Sequence, residues 1–218
     1  MRGQLARRVR LGAALYGAMA LLAVAIAWWR DDSLWLQPVA LPAWLPFWFV
    51  ADVPQVTALS LAGGVLLASV TIGSTSLLVR RVSWARSLRA EFRAALEGAT
   101  DGDVAVLALS SGFAEELLFR GALQPALGLV VTSLLFGAVH FVPSKRLLPW
   151  TAWAAVMGLV LGLLYTHTGS IAGCILAHVA INWINLRRIV RFDPSLDDEP
   201  SAHAPPSLVG RRRTRSQG

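Results

Sequence analysis

Uncharged apolar runs alternate with short clusters of arginine along most of this chain, and the lengths of the runs decide what they can be. Residues 11–29 form the first run, preceded by Arg2, Arg7, Arg8 and Arg10; residues 53–79 form the second, stopped by Arg80 and Arg81. About 20 apolar residues cross a bilayer as a helix, so each run predicts a membrane span. Ala25-Ile26-Ala27 resembles a signal-peptide cleavage site, but the apolar stretch is long for one, and a retained helix is expected. Between the two spans, Pro38, Pro42 and Pro46 argue against a spanning helix, while Trp35, Trp44 and Trp48 suit a membrane interface. Residues 33–52 are therefore expected to form an interfacial outer loop.

The pattern changes after Arg81. Over residues 83–98, Trp84, Leu88, Phe92 and Leu96 recur every four positions, with Arg86, Arg89, Arg93 and Glu97 elsewhere around the helix. This predicts an amphipathic helix lying on the membrane surface. Asp101-Gly102-Asp103 breaks it and offers a cap to the next helix. Four further spans follow, at 104 to about 119, 121–142, 147–165 and 171–186, with residues 166–170 as a short outer turn. The pairs Gly158/Gly162 and Gly169/Gly173 read as sites of close helix packing. From Arg191 onward the chain is rich in Pro, Ser and charge; a disordered tail is expected, with Arg211, Arg212, Arg213 and Arg215 in reach of anionic lipid. The fold expected is all-α: a polytopic membrane bundle of about six transmembrane helices plus one cytoplasmic interfacial helix. It divides into 1–103, a core at 104–191 and the tail at 192–218.

Composition closes off the alternatives. The 218 residues are 55% hydrophobic and 15% charged, with a mean hydropathy of +0.55. Soluble domains carry about 25% charged residues, so soluble, collagen-like and disordered classes are excluded for most of the chain. The single cysteine, Cys174, excludes an intrachain disulfide. Net charge is +7, yet six alternating spans place all of the 20 cations except Arg30 and Arg120 on one side, together with both termini. By the positive-inside rule that side is the cytoplasm, which makes this a multi-pass protein of the cell (inner) membrane. The basic charge then reads as topology and contact with anionic lipid, not as nucleic-acid binding.

Ionisable groups inside spans are costly and default to functional candidates. Glu116 and Arg120, four apart, share a helix face and can pair. Glu115 points about 100° away from Glu116 and is left without that partner. His140 follows Phe136 by four on the fourth span; His178, Asn182 and Asn185 form a polar stripe on the sixth. Glu115, His140 and His178 supply a carboxylate and two imidazoles, a ligand set suited to catalytic Zn²⁺. Without metal, Glu115 can act as general base towards water while His and Asn donors stabilise an oxyanion. No HExxH motif is present. Cys174 reads as helix packing, His167 and His203 as solvated, and Thr132 and Ser133 as bonded to carbonyls of their own helix.

Three motifs carry a family resemblance. Glu115-Glu116-Leu117-Leu118-Phe119-Arg120 matches EExxxR, Phe136 to His140 matches FxxxH, and His178 to Asn182 matches HxxxN. In order and placement they resemble the CPBP intramembrane proteases, relatives of the type II CAAX prenyl endopeptidase and of bacteriocin-processing and self-immunity proteins. The resemblance covers residues 104–186. It implies an endopeptidase acting on membrane-associated protein or peptide substrates, with Glu115 as catalytic acid/base and His140, His178 and Asn182 completing the site. Glu116, Arg120 and Phe136 would support it, and the family has been described both as metalloproteases and as acting through a metal-independent glutamate. Two other classes compete: a non-catalytic scaffold or immunity protein on the same fold, and a proton-coupled transporter, against which stands the lack of paired broken helices.

Overall fold

The computed structural model describes residues 2–37 and 53–191. Expectations for Pro38, Pro42, Pro46, Trp44 and Trp48, and for the tail with His203 and its four arginines, lie outside the described residues.

Among those residues the chain is helical, and its only bridge pair joins Leu36 to Ser170. Helices α1 (Arg2–Arg30) and α2 (Val53–Arg81) are followed by the short α3 (Ser83–Ala95) and by α4 (Asp101–Glu116). Next come a π turn at Leu117–Leu123, α5 (Gln124–Leu127) and α6 (Leu129–Val139). A 3₁₀ turn at Lys145–Leu147 leads into α7 (Leu148–Thr168), and α8 (Ala172–Arg191) ends the described chain. Three helical segments among the described residues are long and apolar enough to cross a membrane by length and composition: Arg2–Arg30, Val53–Arg81 and Lys145–Thr168.

Burial is inverted relative to a soluble protein. Helix α2 buries Ser60, Gly64, Ala68 and Thr71 while Leu59, Val65, Leu66 and Val70 face outward. On α1, Ala23 and Ala27 are buried, whereas Leu21 is 72% and Trp28 85% exposed. Small residues inside and large aliphatics outside is the packing expected when the surroundings are lipid. The chain is a multi-pass membrane protein.

Helices α2 and α8 meet backbone to backbone. A Cβ on Gly173 would overlap the carbonyl of Ser60, and one on Gly64 would overlap the carbonyl of Gly173. Ser60 Oγ donates to the Ser170 carbonyl at 2.8 Å and accepts from Gly173 N–H at 3.0 Å, satisfying a donor that the first turn of α8 leaves open. Gly158 and Gly162 admit α6 and Gln124 against α7, as helix-packing glycines do. Gly169, buried, adopts φ +64° and caps α7, its N–H bonding the Tyr165 carbonyl at 2.7 Å. Of the expected Gly169/Gly173 pair, Gly173 packs against α2 and Gly169 makes the turn.

Four other expectations change. The third helix does not end near Phe119 but continues through the π turn to Leu127, where Gly128 at φ +79° breaks it. Pro125 accounts for the widening, because it has no N–H for the Gly121 carbonyl, and Gln124 N–H bonds back five residues to Phe119. The helix expected over 121–142 is consequently only 11 residues, about 16 Å long, short of the roughly 30 Å hydrocarbon core. The cap of α4 is Thr100, whose Oγ accepts from Asp103 N–H at 3.2 Å while Thr100 N–H donates to Asp103 at 2.9 Å, a reciprocal capping box. The apolar stripe of α3, Trp84, Leu88, Phe92 and Leu96, lines an open cavity instead of lying wholly against a membrane surface.

Candidate active site

The step of about 100° between neighbouring helix positions sends the two glutamates at the end of α4 to different partners. Glu116 is fully buried, and its Oε1 accepts from Arg120 Nη1 at 3.1 Å and from His178 Nδ1 at 2.6 Å. Arg120, 1% exposed, also donates to the Gly158 carbonyl at 2.9 Å and stands 4.6 Å from the centroid of the Phe136 ring. One carboxylate, one guanidinium and one ring thereby tie together α4, α6, α7 and α8.

His140 caps α6 and turns its Nδ1 to the Phe136 carbonyl at 2.7 Å. A carbonyl only accepts, so this nitrogen carries the hydrogen; the carboxylate of Glu116 imposes the same tautomer on His178. Both imidazoles then present Nε2 to Glu115, at 3.7 Å from His140 and 3.9 Å from His178 to Oε2. That oxygen is buried with no hydrogen-bond partner. Phe136 separates the rings, with centroids 4.7 Å from His140, 5.9 Å from His178 and 5.0 Å from Phe119. Asn182, one turn beyond His178, donates its amide to Ser111 Oγ at 2.9 Å.

Glu115, His140, His178 and Asn182 share a cavity of about 1310 Å³ that runs from the middle of α4 and α8 to α3 and the end of α2. Phe136 lines it; Glu116 and Arg120 stand behind it. Two wall residues carry no motif signal. Ser111 lies one turn before Glu115, and Tyr16 of α1 lines the same cavity as Glu115. The Glu116–His178 contact was equally illegible, since nothing in the spacing of residues 62 apart announces it.

The donor chemistry fits zinc: a buried, unpartnered carboxylate oxygen faces two imidazole nitrogens whose other nitrogens are held by acceptors, an arrangement common behind metal ligands. The spacing is open, and no three His, Cys, Asp or Glu side chains among the described residues close on one point. Of the remaining candidates, Cys174 is buried with its thiol on the Leu161 carbonyl at 3.3 Å, and Ser133 bonds the Leu129 carbonyl at 2.7 Å. Thr132 Oγ1, expected to do likewise, is buried without a hydrogen-bond partner.

Residues 102–184 match the family model described as type II CAAX prenyl endopeptidase Rce1-like. The uncharacterized protein YpbD of Bacillus subtilis is 37% identical over 99 residues, 44% of this chain and 50% of that protein, so the chain spans about half the length of the curated relative it matches. No solved structure gives a significant match. The matched segment contains all three motifs and every charged group of the site, and over residues 102–184 the chain is similar to the Rce1-like type II CAAX prenyl endopeptidases.

Proposed function

We propose that this protein is an intramembrane endopeptidase that hydrolyses peptide bonds of membrane-associated substrates. The observation that carries the reading is the Glu115 carboxylate: buried, unpartnered at Oε2, and faced by two imidazole nitrogens on the wall of a large cavity. A water between these groups can hydrogen-bond to all three. Glu115 takes its proton as the oxygen attacks the substrate carbonyl, and the oxyanion receives the free N–H of the Asn182 amide. With Nδ1–H on Glu116, a doubly protonated His178 presents its Nε2–H as a second donor towards the same charge. Glu115 then returns the proton to the amide nitrogen as the C–N bond breaks. The cavity extends to the arginine-rich α3, a face that the charge distribution assigns to the cytoplasm.

Zinc held by Glu115, His140 and His178 is a second reading, favoured by the tautomers that leave both Nε2 atoms unprotonated. A zinc ion would supply Lewis-acid polarisation of the carbonyl and a more acidic water. The test is cleavage of membrane-inserted peptides by purified protein in lipid, with Glu115→Ala as control and metal content measured alongside. Activity lost on chelation and restored by zinc selects the second reading; full activity in metal-free protein selects the first. No Glu115-dependent cleavage of any peptide rejects both.

A further inference from the structure

The cavity that contains Glu115 is strongly asymmetric in charge. Arg80, Arg86, Arg89, Arg93 and Arg188 all line it, and among the described residues Glu115 is the only acid that does. Arg89 and Arg93 fasten α3 to the end of α8 through the carbonyls of Arg188 and Ile189, at 3.2 and 3.0 Å. The other three form the mouth. Arg86 donates to the Arg80 carbonyl at 3.3 Å and Arg188 to Ser76 Oγ at 2.6 Å, neutral partners that leave the charges in place. On α8, Arg187 and Arg191 turn away to Asp101, so the basic cluster is divided between a structural clamp and the cavity.

From this arrangement, and resting on the endopeptidase reading, we propose that Arg80, Arg86 and Arg188 select substrates with acidic side chains on the segment flanking the scissile bond. Position follows from length. Arg188 lies ten residues beyond His178, about 15 Å along the helix, and an extended peptide covers that distance in roughly four to five residues. The selection also has a negative side. Cytoplasmic flanks of membrane proteins are usually rich in Lys and Arg, and a like-charged mouth rejects them. An anionic lipid headgroup is the competing occupant. The peptide is favoured because these arginines line the chamber that ends at Glu115, whereas Arg81, exposed beside them, does not line it.

The experiment uses full-length Glu115→Gln protein in neutral phosphatidylcholine nanodiscs, so that binding is read without turnover. The probes are fluorescent apolar-helix peptides identical except for a tail of Glu, Gln or Lys. The Glu tail should bind about tenfold more tightly than the Gln tail, and the Lys tail least, with the difference shrinking as salt rises. Replacing Arg80, Arg86 and Arg188 together by Gln should abolish the difference, the same three positions as Lys should retain it, and Arg81→Gln should leave it unchanged. Equal binding of the Glu and Gln tails overturns the proposal, as does a preference that survives the triple Gln variant. A response to added phosphatidylglycerol that is lost in the triple variant, without any tail preference, assigns the mouth to lipid and overturns it too. In wild-type protein, cleavage should peak with acids about four to five residues from the cut. Glu115-dependent cleavage indifferent to tail charge would sink this inference alone; tail-selective binding with no cleavage would sink the hydrolytic reading alone.

Discussion

His178 Nδ1 lies 2.6 Å from Glu116 Oε1, so the second glutamate of the pair holds an imidazole as well as Arg120. Spacing alone assigns Glu116 to Arg120 and leaves His178 to Glu115. With both contacts in place, Glu116 fixes which nitrogen of His178 faces the cavity, and its loss reaches the chemistry as well as the fold.

Glu116→Gln should therefore destabilise the protein by about 3–5 kcal/mol, the range for leaving one member of a buried ion pair uncompensated, and should lower activity in whatever fraction folds. Glu115→Gln should keep the melting temperature close to wild type and reduce the rate by about 10²–10⁴, the usual worth of a general base. Thermal unfolding in lipid and single-turnover cleavage, measured on both variants, separate the two roles. A stable, fully active Glu116→Gln protein would contradict the arrangement.

Ser111→Ala removes the acceptor that orients the Asn182 amide and should lower kcat about two- to tenfold with KM little changed. Because the effect travels through Asn182, the same substitution made in an Asn182→Ala background should have no further effect. Additive losses in that double-mutant cycle would assign Ser111 an independent role.

Gly173→Ala should be among the most damaging small substitutions, since the added methyl meets the Ser60 carbonyl and α8 carries both His178 and Asn182. Overpacking of this kind costs about 1–3 kcal/mol or more, and here the nearest atoms are backbone. Unfolding temperature and yield of folded protein check it, with Gly17→Ala, which meets open space, as the comparison.

At the surface, hydrogen bonding to Arg191, with the charges of Arg191 and Arg187, holds Asp101 below the usual carboxylate range; the Thr100 hydroxyl and N–H do the same for Asp103. A depressed folded value means stabilisation that is complete above the unfolded value, about 3.9, and lost as pH falls through the folded one. Asp101→Asn should therefore unfold at a lower temperature than wild type at neutral pH, and the gap should close in acid. Melting curves across that range test the sign, and a gap that widens in acid would refute it.

What the sequence revealed was whatever repeats or lies nearby. Four-residue spacing exposed Glu116–Arg120, the His178–Asn182 stripe and the apolar face of α3, and charge asymmetry organised the spans. Contacts between distant helices left no such mark: Tyr16, Ser111 and the Ser60–Gly173 crossing became visible only once α1, α2 and α8 were packed. Two local signals were present but unread. Thr100 and Asp103 have capping-box spacing, and Pro125 lies four residues after Gly121, where it disturbs helical bonding.

The π turn at Leu117–Leu123 is in effect a one-residue insertion that the helix has absorbed. Deleting a residue inside it lets the turn tighten to α while the segments before and after stay in phase. Glu115 would keep its aim into the cavity and Gln124 its bond to the Gly162 carbonyl. The same deletion at Ala108 would rotate everything beyond it by about 100° relative to the start of the helix, carrying both glutamates off their partners. Tolerance to a lost codon is thus localised: one turn of this long helix holds a spare residue, and the turns before it hold none.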